Sequence, residues 1–134
     1  LAGNVLPGFD GIDIDLAAGQ TKNKMMLVCF FDMNQRPSRN CIMQIAKKAS
    51  HIQQNDTIIV AVQASKVEQN ALNEWIKKYN IPFPVGAITG GENEIRSAWG
   101  VRALPWLILS DLNQIIRAEG FAITELDEKL KANK

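Results

Sequence analysis

Met25-Met26-Leu27-Val28-Cys29-Phe30-Phe31-Asp32-Met33-Asn34-Gln35-Arg36-Pro37-Ser38-Arg39-Asn40-Cys41 is the stretch on which the fold turns. Its first seven residues are apolar without a break. That is far short of the roughly 20 residues a membrane-spanning helix needs. It is the pattern of a strand covered on both faces. The run ends at Asp32, and Pro37 lies in the loop that follows. Ser38 is a residue type suited to capping a helix N-terminus. Beyond it, apolar side chains recur at Cys41, Ile42, Ile45, Ala49 and Ile52, three or four apart, as one buried helix face requires. Thr57-Ile58-Ile59-Val60-Ala61-Val62 supplies a second buried strand. Strand, helix and strand over about 38 residues make a βαβ unit, whose crossover should be right-handed.

Toward the N-terminus, Gly11-Ile12-Asp13-Ile14-Asp15-Leu16 alternates apolar and acidic residues with period two. This predicts a half-buried strand near a sheet edge, with Asp13 and Asp15 on its solvent face. Ala18-Gly19-Gln20 then reads as a turn. Toward the C-terminus, Ser65-x-x-Glu68 reads as a capping box opening a helix, with Val67, Ala71, Leu72, Trp75, Ile76 and Tyr79 on its apolar face. In Ile81-Pro82-Phe83-Pro84-Val85 two prolines remove ladder donors, so only a short, irregular strand is expected. Gly90-Gly91 is a loop. Without the Lys-Ser/Thr of a P-loop, Gly90-Gly91-Glu92 is no phosphate cradle. Residues 92–99 read as a short helix ended by Gly100. Residues 104–109 and 114–119 read as two strands joined at Ser110-Asp111-Leu112-Asn113. Thr124-x-x-Asp127 opens a last helix with Leu126 and Leu130 inward. Together these give an α/β fold, a mixed sheet with helices on both faces.

Composition narrows the function classes. The 134 residues are 46% apolar and 22% charged, which excludes disorder, collagen and coiled coil. Fifteen basic residues face fourteen acidic ones, a net charge of +1, without the basic excess that neutralises phosphates. Nucleic acid is therefore not an expected partner, and no stretch is long enough to span a membrane as a helix. Two cysteines and one histidine are too few for a structural zinc site or a disulfide scaffold. No metal or cofactor is expected. The first residue is Leu1, with no signal peptide or lipidation motif, so a longer parent protein is expected, any targeting segment lying outside this sequence.

In open α/β sheets, sites form beyond the carboxyl ends of strands, beside helix N-termini. That singles out Asp32-Met33-Asn34-Gln35-Arg36-Pro37-Ser38-Arg39-Asn40-Cys41. A buried strand ending in two aromatics, a short loop and a Pro-containing turn into a helix resembles the thioredoxin superfamily. Val101-Arg102-Ala103-Leu104-Pro105-Trp106-Leu107-Ile108-Leu109 resembles that family's cis-proline segment with its following strand. The N-terminal β extension (6–16) and the extra helix and strand (66–85) are similar to the redoxin branch, which includes thiol-disulfide oxidoreductases and peroxiredoxins. The resemblance spans nearly the whole chain, and residues 1–134 are expected to form a single thioredoxin-like domain of this type.

Where the family places Cys-x-x-Cys, this chain reads Gln35-Arg36-Pro37-Ser38, keeping a proline and losing both sulfurs. Peroxiredoxins put their attacking Cys at the first of these positions and a Thr three residues earlier; here Gln35 and Asp32 stand there. Disulfide exchange needs a thiolate, which neither Gln35 nor Ser38 supplies. The one histidine, His51, falls roughly 20 Å along the helix from Ser38 at 1.5 Å per residue. Of the two cysteines, the resemblance puts Cys29 where thioredoxins bury an acid. Cys41 is the redox candidate if it is partly exposed. The resemblance further implies a groove formed by Gln35, Arg36, Pro37, Ser38 and Arg39 facing Arg102, Leu104, Pro105 and Trp106. Leu104–Pro105 would be cis and Trp106 an aromatic wall. Such a groove suits a protein or extended peptide, or a small anion held by the helix N-terminus with Arg36, Arg39 and Arg102. The expected function is a non-catalytic binding or scaffolding module. The alternative is an atypical thiol-disulfide oxidoreductase or peroxiredoxin-like enzyme using Cys41 with a partner thiol. The resemblance also points to an extracytoplasmic setting.

Overall fold

The computed structural model describes residues 2–16 and 23–133. In chain order the elements are β1 (Ile12–Asp13), β2 (Met25–Phe31), α1 (Arg36–Gln54), β3 (Thr57–Gln63), α2 (Gln69–Lys78), β4 (Val85–Ile88), α3 (Glu92–Ala98), β5 (Trp106–Ser110), β6 (Ile116–Glu119), a 3-10 turn (Ile123–Glu125) and α4 (Leu126–Ala132). The strands form one six-stranded sheet in the order β1-β4-β3-β2-β5-β6. β2 runs parallel to β3 and antiparallel to β5. Every β2 side chain is buried, and the two faces take alternate residues. Met25, Leu27, Cys29 and Phe31 pack with α1, α2 and α4, while Met26, Val28 and Phe30 pack with Trp99 and the N-terminal segment. Burial on both faces explains the unbroken apolar run, and the parallel β2–α1–β3 unit follows from it.

The N-terminal segment bridges the two edges of the sheet. Gly3 N–H donates to the Ile116 carbonyl (2.7 Å) and Leu6 N–H to that of Gln114 (2.8 Å), beside β6. Ile12 and Asp13 pair antiparallel with Ile88 and Ala87 of β4 at the other edge. Between these points Leu6 and Phe9 cover the second face, with the Phe9 ring 5.2 Å from that of Trp99. The close approach of this segment to β4 requires glycine at position 86, where a Cβ would lie 2.7 Å from the Asp13 carbonyl.

Several boundaries depart from the sequence reading. The edge strand keeps two of its six expected residues, because only Ile12 and Asp13 find partners on β4. The strand expected at 81–85 begins at Val85; the prolines precede it, and Ile81 and Phe83 enter the core as loop residues. The last two strands start later, at Trp106 and Ile116. Ser65 caps nothing: α2 starts at Gln69, and the Ser65 hydroxyl bonds Asp32. Leu72 and Trp75 face inward, whereas Ala71 and Tyr79 are exposed. At the last helix the Glu125 carboxylate, rather than Thr124, accepts the Ala122 N–H at 3.0 Å; Leu126 and Leu130 are buried. The expected turn at Ala18-Gly19-Gln20 lies outside the described residues.

Candidate functional site

The loop after β2 is held by a buried carboxylate. Asp32 Oδ1 accepts the Asn34 N–H (3.0 Å) and the Gln63 side-chain amide (3.2 Å), and Oδ2 accepts the Ser65 hydroxyl (2.9 Å). Gln63 returns a bond, its Oε1 accepting the Met33 N–H at 2.8 Å. Parallel pairing of Phe31 with Gln63 puts Asp32 and Gln63 side by side at the carboxyl ends of adjacent strands. Burial raises the Asp32 pKa, but the bonds from Asn34, Gln63 and Ser65 outweigh it and hold the carboxyl below its ordinary value. A depressed acid contributes stability that is full above the unfolded pKa, near 4, and is lost as pH falls through the native value. Asp32→Asn is expected to cost about 1–3 kcal/mol at neutral pH. It should also flatten the decline in stability below about pH 4. Denaturant unfolding across a pH series measures both.

This loop delivers the chain into α1 three residues earlier than the sequence predicts. Gln35 is the N-cap residue, without a side-chain capping bond, and Pro37 sits in the first turn, where its missing N–H costs nothing. Ser38 therefore falls inside the helix, fully buried, with Oγ lacking any hydrogen-bond partner. A buried hydroxyl without a partner is a net cost. Ser38→Ala is accordingly expected to leave stability unchanged or raise it by up to about 1–2 kcal/mol, read as a shift in the unfolding midpoint.

Across from the turn, the Leu104–Pro105 peptide bond is cis. A pocket of about 360 Å³ opens between α1 and the β5–β6 end of the sheet. Pro37, Asn40, Cys41 and Gln44 line it from α1, Pro105 and Leu107 from β5 and the residue before it, and Gly120, Phe121, Ala122 and Ile123 from the far side. Its walls carry amides and apolar side chains but no charge. The main-chain groups of Arg102, Ala103 and Leu104, on the approach to Pro105, enter no hydrogen bond among the described residues.

Of the residues expected to form the groove, Pro37 and Pro105 line it, together with the redox candidate Cys41. Gln35, Arg36 and Arg102 lie exposed around the turn and the opposing loop. Arg39 is committed elsewhere, its guanidinium donating to the Met33 carbonyl at 3.1 Å. None of the three arginines lines the pocket. Leu104 and Trp106 pack on the opposite face of the sheet, with Phe30 and Val101. Trp106 thus does not wall the groove: its ring lies over Gly120, where a Cβ would come within 2.6 Å, and Gly120 takes a φ of +67°.

Both cysteines belong to the core cluster beside this pocket, and Cys41 is part of its lining. Cys29 is fully buried and Cys41 is 6% exposed, and the two belong to one packed cluster in which each shifts the other's ionisation. The neighbouring Cys29 side chain holds the Cys41 thiol below its ordinary pKa against the opposing effect of burial. The Cys41 side chain and burial push Cys29 well above its own. The sequence reading missed this pairing, as it missed the Asp32–Gln63–Ser65 network. The signal for the second was present: polar residues ending two neighbouring parallel strands.

A six-stranded mixed sheet, a proline turn into its first long helix and a cis-proline opposite define a thioredoxin-like domain of the redoxin type. The AhpC/TSA family pattern matches residues 4–119, and the chain belongs to that family. Its fold is similar to a thiol-disulfide isomerase from Corynebacterium glutamicum, with a TM-score of 0.75, 18% identity, and coverage of 99% of this chain and 94% of the other. It is also similar to a putative protein disulfide isomerase from Bacteroides thetaiotaomicron (TM-score 0.77, 14% identity, 98% and 87% covered). A third similar structure is a putative thiol:disulfide interchange protein DsbE from Chlorobium tepidum (TM-score 0.76, 14% identity, 98% and 96% covered). No curated protein matches the chain. Among the described residues, no helix is long and apolar enough to cross a membrane.

Proposed function

We propose that this chain is a binding module that holds an extended segment of another protein in the groove between α1 and the β5–β6 end of the sheet, without dithiol exchange at the turn. The observation that carries this reading is the groove itself. It is uncharged, lined by Leu107, Phe121 and Ile123, flanked by the Asn40 and Gln44 amides, and approached by unpaired main chain at 102–104. Apolar walls receive alternate side chains of an extended peptide, while unpaired backbone groups and amides bond its main chain. A small anion is less well served, because no arginine lines the pocket. Thioredoxin-like domains, which the chain resembles, bind extended substrates beside this proline. The resemblance also supports an extracytoplasmic setting and a longer parent protein.

Alkylated insulin B chain is a suitable probe, being unfolded and free of thiols. Calorimetric titration should show saturable binding. Gln44→Trp, an exposed helix position where a large ring fills the groove, should weaken it at least about tenfold, a loss of 1.4 kcal/mol. Equal binding by the variant, or none by the parent protein, would remove the reading. The alternative, thiol chemistry at Cys41, has separate support in the second sulfur beneath it.

A further inference from the structure

We infer that Cys29 and Cys41 form a dithiol site at the wall of the groove, which takes a low-molecular-weight disulfide and closes into an intramolecular disulfide. The two residues reach each other from different elements. Cys29 sits mid-strand in β2, opposite Leu107 of β5. Leu107 and Cys41 both line the groove, and all three belong to one packed cluster. Cys41, in the second turn of α1, sits at the pocket wall. Cys29 lies behind it in the same cluster, fully buried, its Sγ donating to the Phe30 carbonyl at 3.8 Å. Access and order of reaction follow from this placement. A small disulfide entering between Pro37 and Pro105 meets Cys41 first and has no route to Cys29.

The chemistry runs in two displacements. The Cys41 thiolate attacks one sulfur of the incoming disulfide; that S–S bond breaks, one thiolate leaves, and Cys41 holds a mixed disulfide. Cys29 then loses its proton and attacks Cys41 Sγ, expelling the second thiolate and forming the Cys29–Cys41 bond. The protein loses two electrons and two protons, and the small disulfide becomes two thiols. The family's usual dithiol positions, Gln35 and Ser38, take no part. The inference needs the groove to be open, but not to bind peptide, so a negative peptide titration leaves it standing.

Dithiobis(nitrobenzoate) is the probe, added to the folded, reduced chain. The expected result is release of two thionitrobenzoate ions per chain, a protein mass lower by two hydrogens, and a peptide map joining residues 29 and 41. Cys29→Ala should instead stop at a stable mixed disulfide on Cys41, with one ion released, and Cys41→Ser should release none. Two results on the parent protein overturn the inference without recourse to variants. One is absence of reaction before unfolding; the other is a mixed disulfide on Cys41 that Cys29 never displaces.

Discussion

Gln35→Cys/Ser38→Cys is expected to give this chain a disulfide reductase activity on insulin at least about 100-fold above that of the parent protein. The reason lies in the position of the turn. Residue 35 is exposed at the N-terminus of the 19-residue α1, where free N–H groups and the helix dipole favour a thiolate. Residue 38 is fully buried one turn on, the placement of a resolving sulfur. The unpartnered Ser38 hydroxyl already occupies the space a thiol would fill. Gln35→Cys alone should accumulate mixed disulfides without turnover. The insulin turbidity assay reads the difference, and no gain in the double variant would mean that this turn does not present its residues to a disulfide.

Phe31→Ala should produce the largest loss of stability among single core substitutions, about 3–5 kcal/mol. The ring is fully buried at the carboxyl end of the central strand and stacks on Trp75, centroids 5.5 Å apart and planes 25° apart. Its removal opens a cavity shared by β2 and α2 and loosens the support under the Asp32 loop. Against a typical total of about 5–15 kcal/mol, that is roughly a fifth or more of the stability of an ordinary domain. Tyr79, tilted against Trp75 with centroids 5.9 Å apart but exposed, should cost less than about 1 kcal/mol on truncation to alanine. Denaturant midpoints at constant slope measure both.

The scaffold was legible where burial alone decides structure. Met25–Phe31 and residues 57–62 are apolar because both faces of the sheet are covered, and the spacing from Cys41 to Ile52 is set by one helix face. What escaped the reading was side-chain hydrogen bonding and the placement of single polar residues. Ser65 and Glu68 have the spacing of a capping box, yet Ser65 is drawn to Asp32 because β2 and β3 end side by side. Pro37 starts α1 early and moves Ser38 from cap to core. Trp106 alternates to the face away from the groove, a one-residue phase that sequence alone fixes only once the strand's first residue is known. The Cys29–Cys41 contact joins a strand to a helix twelve residues on, and depends on how α1 lies over β2, which no local pattern encodes.

The claim that the groove beside Pro105 is the working surface is tested most directly by amide chemical-shift mapping with alkylated insulin B chain. Shifts should concentrate at Asn40, Cys41, Gln44, Leu107 and 120–123, with the unpaired stretch 102–104 joining them. Shifts confined to another surface, such as the shallow pocket around Asn70, Asn73 and Lys77, or none at saturating peptide, would contradict it.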